Sequence, residues 1–298
     1  MLMTVLKAAR RVTKKVVAAV VPEALRLRVD AETYGIVRFM KFASSQAKPT
    51  DRVLDAGAGS CPYRKYFAHA TYESTDFEEI FEQSCRGMHT FLCSLDNIPR
   101  PANTYDVIIN TQVLMHVAEP QKVLNEFCRV LKPGGRLFLT APQGWAVISA
   151  PYHFFNFTNF GLELLLRRAG LEIEFIKPRG GMFWYLGDRV RRLPQYVLYQ
   201  YLFDEGPRSL KPHIRPAAAL MLPVYLVAYP LCEILIPLLF FYLDRLDRKQ
   251  AFTLGYSCYC RKPASVAVAV PAGKASAEAA PAEAEQPASL CPSLCLAQ

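Results

Sequence analysis

Between residues 52 and 178 the chain alternates short apolar runs with stretches whose apolar residues recur at helical spacing. The runs Val53-Leu54, Thr71 to Asp76, Thr90 to Leu95, Asp106 to Asn110, Leu137 to Thr140 and Leu171 to Ile176 predict strands. Strand and helix alternating at this spacing predict a parallel sheet. The clearest helix spans about Pro120 to Leu131, with Leu124 and Phe127 on its buried face and Lys132-Pro133-Gly134-Gly135 ending it.

Three segments depart from that alternation. Residues 1 to 21 place Leu2, Val5, Leu6, Val12, Val16 and Val20 at helical spacing with Lys7, Arg10, Arg11, Lys14 and Lys15 opposite, and Pro22 stops the pattern. This predicts an amphipathic basic helix, part of an N-terminal region 1–29, suited either to an anionic membrane surface or to packing on the domain. Residues 217 to 243 are almost wholly apolar, with Glu233 as their single charge and Pro223, Pro230 and Pro237 every seven residues. Residues 264–298 are Ala-, Pro-, Ser- and Glu-rich without period, which predicts a disordered tail. A single α/β domain over residues 30–263, with an apolar insertion at 183–250, is left between them.

Composition sharpens this picture by locating its excesses. The 298 residues carry 35 Lys and Arg against 26 Asp and Glu, net +9, with 52% hydrophobic residues and a mean hydropathy of +0.10. Soluble chains are seldom both basic and apolar. The charge concentrates in residues 1 to 29 and around the 217 to 243 segment, whose apolarity also inflates the average. Basic residues beside apolar stretches, with no RNA- or DNA-binding motif, argue against nucleic acid as a partner. Nine cysteines at irregular spacing form neither a disulfide framework nor a zinc pattern, so Cys61, Cys85, Cys93 and Cys128 are expected as reduced thiols in the cytosol.

The chemistry-bearing signal begins at Arg52 to Cys61, RVLDAGAGSC, a strand entering a turn whose Gly57 and Gly59 let a ligand approach the backbone closely. The dinucleotide fingerprint needs a further glycine where this chain has Pro62, which argues against a dehydrogenase. A carboxylate at Asp55 suits a cationic ligand better than a pyrophosphate. Asp76 ends the second strand, at a distance suited to accepting hydrogen bonds from ribose hydroxyls. Asp96 is expected to end the third. From Thr104 to Pro142 follows TYDVIINTQVLMHVAEPQKVLNEFCRVLKPGGRLFLTAP.

In order and wording, residues 50 to 180 resemble a class I S-adenosylmethionine-dependent methyltransferase of the methyltransferase type 11 kind. The resemblance implies a Rossmann-like, mostly parallel seven-stranded sheet with an antiparallel last strand, which Thr253 to Pro263 resembles, and S-adenosyl-L-methionine as cofactor. It places the methionine end of the cofactor over Asp55, Ala56, Gly57 and Gly59, the ribose on Asp76, the adenine near Asp96 and Asn97, and Asn110 to Gln112 under the sulfonium. Cys61 stands where many relatives have a third glycine, and Arg64 is a candidate for the cofactor's carboxylate.

Methyl transfer needs a nucleophile in line with the S-methyl bond, and a general base is optional. Two histidines lie past strand ends: His116 in VLMHV and His153 in PYHFFNFT. His153, amid Tyr152, Phe154, Phe155 and Phe157, is the stronger acceptor-site candidate, while His116 is expected to orient its loop. If the last strand pairs with the sheet, both ends of the apolar insertion lie on one side of a bilayer, which excludes a single crossing. A proline-broken hairpin, a surface helix, a soluble lid and an oligomer interface then stay open. The expected activity is O-methylation of a small-molecule, glycan or lipid-linked acceptor at the cytoplasmic face of a membrane. The alternative is a membrane-associated binding or assembly protein that keeps the fold without turnover.

Overall fold

Val53 and Leu54 point to opposite faces of one strand and both are fully buried, as a strand in the middle of a sheet covered on both sides requires. In the computed structural model, which describes residues 22–77, 88–202 and 231–264, that strand is β1 (Arg52–Ala56). With β2 (Thr71–Asp76), β3 (Phe91–Leu92), β4 (Tyr105–Thr111), β5 (Leu131–Pro142), β6 (Glu172–Pro178) and β7 (Gly255–Arg261) it forms a seven-stranded sheet of order β3-β2-β1-β4-β5-β7-β6. Strands β3 to β5 pair parallel, and β7 runs antiparallel between β5 and β6. This is the expected Rossmann-like sheet with its antiparallel last strand.

The third strand is shorter than its apolar pattern predicts. After Phe91–Leu92, the Cys93 N–H donates to Asp76 O at 3.1 Å, and the chain then turns, with Ile98 N–H donating to Glu126 Oε1 at 2.8 Å. Ile98 is thereby drawn into the core beneath a helix, and strand pairing stops.

Six helices are described: α1 (Glu23–Val29), α2 (Ala31–Gln46), α3 (Pro120–Val130), α4 (Asn159–Arg168), α5 (Met182–Leu202) and α6 (Ile236–Leu243). Asp30 caps α2 by accepting from Thr33 N–H, and Thr158 caps α4 by accepting from Gly161 N–H. On one sheet face α3 and α4 bury Leu124, Phe127, Leu162 and Leu166 against Leu54, Ile108 and Leu139. On the other, α2 buries Phe39, Met40 and Ala43 against Val53, Val107, Ile109 and Phe138. The strand order reverses between β1 and β4, which opens a crevice at their carboxyl ends.

The insertion between β6 and β7 begins with α5 and returns through a π turn (Leu231–Leu235) into α6. Among the described residues no helix is long and apolar enough to cross a membrane. The basic flanks divide. Arg189, Arg191 and Arg192 hold the fully buried Asp188 carboxylate at 2.7, 3.3 and 2.8 Å, whereas Arg245, Arg248 and Lys249 are exposed. Arg208, Lys211 and Arg215, the N-terminal helix 1–21, residues 217–230 and the tail 265–298 lie outside the described residues. Cys61, Cys93 and Cys128 are free thiols, and Cys85 also lies outside.

One buried ion pair ties the N-terminal helix α2 to the start of the insertion. Arg179, directly after β6, donates through Nη1 to Glu32 Oε1 at 2.6 Å, with side chains 2% and 10% exposed. Gln112, directly after β4, donates to the same oxygen at 2.6 Å. Removing one partner of such a pair leaves the other charge buried, so Glu32→Ala is expected to cost about 3–5 kcal/mol of unfolding free energy. Urea denaturation measures this, and a loss near zero would show that the pair holds nothing together.

Candidate active site

The site lies at the carboxyl ends of β1, β2 and β4. β1 delivers Asp55 into the interior, where it is fully buried, and the chain turns at Gly57 (φ 79°) and Gly59 (φ 51°). A Cβ on Gly57 would sit 2.4 Å from Val113 Cγ2, and Gly59 faces open space, so one glycine is needed for packing and the other leaves room for a ligand. Gly57 and Ala58 N–H groups donate to Thr75 O, which fastens the turn to β2. Cys61 takes φ 53°, so it holds the left-handed backbone that a glycine adopts without strain. Its Sγ lies 3.9 Å from His89 Nδ1 and 3.8 Å from Arg64 Nη2.

Asp55 Oδ2 accepts from the Tyr72 hydroxyl at 2.5 Å, while Oδ1 is buried without a hydrogen-bond partner. Burial pushes the Asp55 carboxyl up from 3.8 to about 7, aided by the nearby Asp76 and opposed by Tyr72 and Arg64. Burial beside Asp55 likewise lifts the Tyr63 phenol to about 12. Asp76 ends β2 with Oδ2 accepting from Gly59 N–H at 2.7 Å and Oδ1 accepting from Phe77 N–H at 2.8 Å. The second aspartate therefore braces the glycine turn from below.

Asn110 is fully buried, donates from Nδ2 to Ala56 O at 2.8 Å and leaves Oδ1 unpartnered. Gln112 adopts φ 58° and turns its amide toward Glu32. Asp96 and Asn97 are exposed in the turn beyond β3 rather than at the strand end, a place taken by Cys93, whose Sγ is 3.3 Å from Thr75 Oγ1. The expected position of Asp96 moves because β3 stops four residues before it. Arg64 Nη2 donates to Met88 O at 2.7 Å and approaches Ser74 Oγ at 3.4 Å.

These groups suit a cation linked to a hydroxylated sugar. Two buried acceptor oxygens, Asp55 Oδ1 and Asn110 Oδ1, lack donors, and an ammonium or sulfonium brings positive charge to the first of them. Open space at Gly59 and a strand-end carboxylate at Asp76 provide for the remainder. The donor set thus fits S-adenosyl-L-methionine.

The two histidines come together past β4 and β5 with ring centroids 5.8 Å apart, and they differ in what their nitrogens do. His116 Nδ1 meets the Tyr152 carbonyl at 2.6 Å, so that nitrogen carries the proton and the Nε2 lone pair is left over. His153 Nδ1 accepts from Ile148 N–H at 3.1 Å, so its proton sits on Nε2, 3.4 Å from Asn156 Oδ1. His153 in its neutral form has no free lone pair. Tyr152, Phe154 and Phe155 around it are exposed, whereas Phe157 is buried. Trp145 in the same loop lies against the guanidinium groups of Arg189 (5.1 Å) and Arg192 (4.6 Å), so α5 of the insertion forms a wall of this loop.

Sequence reasoning passed over Tyr72, Tyr63, Glu32 and Arg179. The register that pairs Val53 with Tyr72 and Asp55 with Ser74 would have indicated the first of these. Glu32 reads locally as an ordinary first-turn acid of a helix, with no trace of its partner 147 residues away.

Residues 54–139 match the family model described as a methyltransferase domain. The ubiquinone/menaquinone biosynthesis C-methyltransferase UbiE of Chromobacterium violaceum is 29% identical over 117 residues, 39% of this chain and 44% of the relative. UbiE of Pasteurella multocida is 33% identical over 110 residues, covering 37% of this chain and 38% of its own. UbiE of Francisella tularensis subsp. novicida is 26% identical over 198 residues, covering 59% and 76%. The chain thus spans less than half the length of the first two. The matched stretch runs from β1 through β5 and holds Asp55, Gly57, Gly59, Asp76 and Asn110. With that sheet order and this strand-end chemistry, residues 54–139 are a methyltransferase domain of the class I S-adenosylmethionine-dependent kind.

Proposed function

We propose that this protein methylates a hydroxyl-bearing, apolar small-molecule acceptor, with oxygen as the receiving atom. Nε2 of His116 carries the reading: the imidazole, oriented from behind by the Tyr152 carbonyl at Nδ1, stands just past β4 with its other ring nitrogen unused. Bound S-adenosyl-L-methionine supplies an electrophilic methyl group on sulfur. His116 would take the hydroxyl proton and leave the acceptor oxygen as the nucleophile for that methyl group, with S-adenosylhomocysteine as the leaving group. Asp55 balances the cofactor's positive charge, and the turn at Gly57 and Gly59 admits it to the backbone. His153 is a positioning residue that holds Ile148 and Asn156 in the acceptor loop. The relatives named as C-methyltransferases favour a second reading, in which deprotonation of a ring hydroxyl by the same base makes an adjacent ring carbon the nucleophile.

The apolar character of the acceptor is supported by exposed Tyr152, Phe154 and Phe155 at the loop. A membrane-linked acceptor, a lipid-linked sugar or a quinone-like lipid among them, is supported by the insertion. Leu231, Leu235, Leu239, Tyr242 and Leu246 are all exposed at helical spacing, with Arg245, Arg248 and Lys249 beside them. Such a stripe suits a helix lying in the headgroup region at the cytoplasmic face rather than one crossing the bilayer.

Three measurements test this. Ligand-free Asp55 holds its proton up to about pH 7. From about pH 4 to 7 the folded state keeps a proton that the unfolded chain has released, so stability falls across that window and levels off above it. A bound cation reverses the preference. Cofactor binding near pH 6 is expected to release close to one proton, with affinity rising with pH to about 7 and then flattening. Calorimetry in buffers of different ionisation enthalpy reads the proton, and Asp55→Asn is expected to abolish its release. Proton release that persists in the variant would remove Asp55 from this role.

His116→Ala is expected to lower kcat about 10²–10⁴-fold while S-adenosylhomocysteine affinity stays within a few-fold. His153→Ala is expected to act mainly on KM. The reverse pattern would exchange the two roles.

Membrane extract incubated with methyl-labelled S-adenosylmethionine is expected to place label in the lipid or lipid-linked glycan fraction. Mass spectrometry of the product then separates a methyl ether from a methylated ring carbon. Label confined to protein would overturn the acceptor class, and cofactor binding without any transfer would favour a non-catalytic member of the fold.

A further inference from the structure

Away from the strand tips, α2, the β6–β7 edge and the insertion enclose a cavity of about 600 Å³, within the size range of small-molecule sites. None of Asp55, Asp76, Asn110 or Gln112 lines it. One wall is a cluster of Phe39, Phe42 and Phe175, with centroids 5.9 to 6.3 Å apart. Facing it, Trp184 of α5 stacks on Phe241 of α6 at 5.0 Å. The cavity thus offers flat aromatic surface on two sides.

Its charged groups are cationic with one exception. Arg38, Lys177 and Arg245 line it, all three are exposed, and among the described residues none has a carboxylate partner. The lone acid in the lining, Asp244, is buried with its carboxylate already accepting from Gly181 and Trp184 N–H groups at 2.9 to 3.0 Å. Arg179 also lines the cavity, with a side chain 2% exposed and a buried Nε that has no hydrogen-bond partner. Its charge is paired with Glu32, so Arg179 contributes an unmet buried donor to the cavity and no net charge.

We infer that this cavity is a second binding site, for a phosphorylated single-chain amphiphile. Its phosphate lies among Arg38, Lys177 and Arg245, and its apolar chain lies between the Phe39–Phe42–Phe175 cluster and the Trp184–Phe241 stack. Three cations without carboxylates match a dianionic phosphate, and guanidinium groups grip it through paired N–H donors. The aromatic walls exclude a bare inorganic ion as the best occupant, since they then stay wetted. The inference stands independently of methyl transfer, because it uses no residue of the strand-tip site.

The test uses the full chain with Trp145→Phe, which leaves Trp184 as its single tryptophan. Dodecyl phosphate below its micelle concentration is expected to shift Trp184 emission saturably. Dodecyl maltoside, equally apolar but neutral, is expected to bind at least about tenfold more weakly. Arg38→Glu with Lys177→Glu is expected to weaken dodecyl phosphate by about tenfold or more while calorimetric affinity for S-adenosylhomocysteine stays unchanged. Should the double reversal not fold, judged by its thermal unfolding, Arg38→Gln with Lys177→Gln serves and is expected to weaken binding in the same direction. Equal binding of the two amphiphiles, or no effect of the charge changes, overturns the site. A full emission shift with inorganic phosphate alone overturns the amphiphile. A response to phosphatidylglycerol vesicles without one to monomeric dodecyl phosphate assigns the cations to a bilayer surface and overturns the cavity. Failure to bind S-adenosylhomocysteine with dodecyl phosphate binding intact would reject the cofactor reading and leave this one standing.

Discussion

The Glu32 carboxylate is the point at which three distant parts of the chain meet. It lies in the first turn of α2, accepts from Gln112 at the tip of β4, and is paired to Arg179 where β6 hands over to the insertion. Burial raises the pKa of this carboxyl, against the pull of Arg179. The arrangement is therefore sensitive to any loss of partner, since an uncompensated charge in this interior costs several kcal/mol. Because Gln112 follows β4 at the strand tips and Arg179 lines the second cavity, one oxygen is in contact with both regions. The fold carries a charge here that an apolar core would not need, and the return is a fixed relation between sheet tip, N-terminal helix and insertion.

Electrostatics at the strand tips follow a different logic. Asp76 lies close enough to disfavour the charge on Asp55, and the nearby cation, Arg64, donates to backbone Met88 O. Without ligand, the interior answers by keeping Asp55 protonated. A cofactor that carries its own positive charge supplies what the protein leaves out, so the protein's unmet acceptors select a cation over the anionic dinucleotides that use similar glycine turns. Cys61, in a left-handed conformation, shows how firmly the turn is imposed: the backbone keeps its path even where the side chain disfavours it.

What could be read from sequence was what depends on local period and on short spacing. The alternation of Val53-Leu54 or of Leu137 to Thr140 reports two-sided burial directly, and a DxGxG turn followed by Asp76 is a local motif with a local reason. Asp96 escaped because its position depends on where β3 ends, which Glu126 on a separate helix decides by capturing Ile98 N–H. The sequence names both histidines but not which ring nitrogen of each is engaged. Which ring nitrogen is free depends on a carbonyl 36 residues from His116 and a backbone amide five residues from His153, and neither contact leaves a mark in composition. Glu32 and Arg179, 147 residues apart, are the extreme case.

The insertion joins the two traits that made the chain unusual, its basicity and its apolarity, but assigns them to different tasks. Arg189 and Arg192 are engaged by Asp188 and by the Trp145 face, so they help to shape the loop that carries Trp145. Arg245, at the end of α6, faces outward beside Leu246 and also lines the second cavity. Helices α5 and α6 thus present one face to the acceptor loop, one to the aromatic cavity and one, through Leu231, Leu235 and Leu239, to the surroundings. An apolar acceptor arriving along that outer face would meet the same helices that wall the loop beside His116. Helix α5 is the element common to both: it walls the loop past β4 through Arg189 and Arg192 and packs on α6, which carries the apolar stripe.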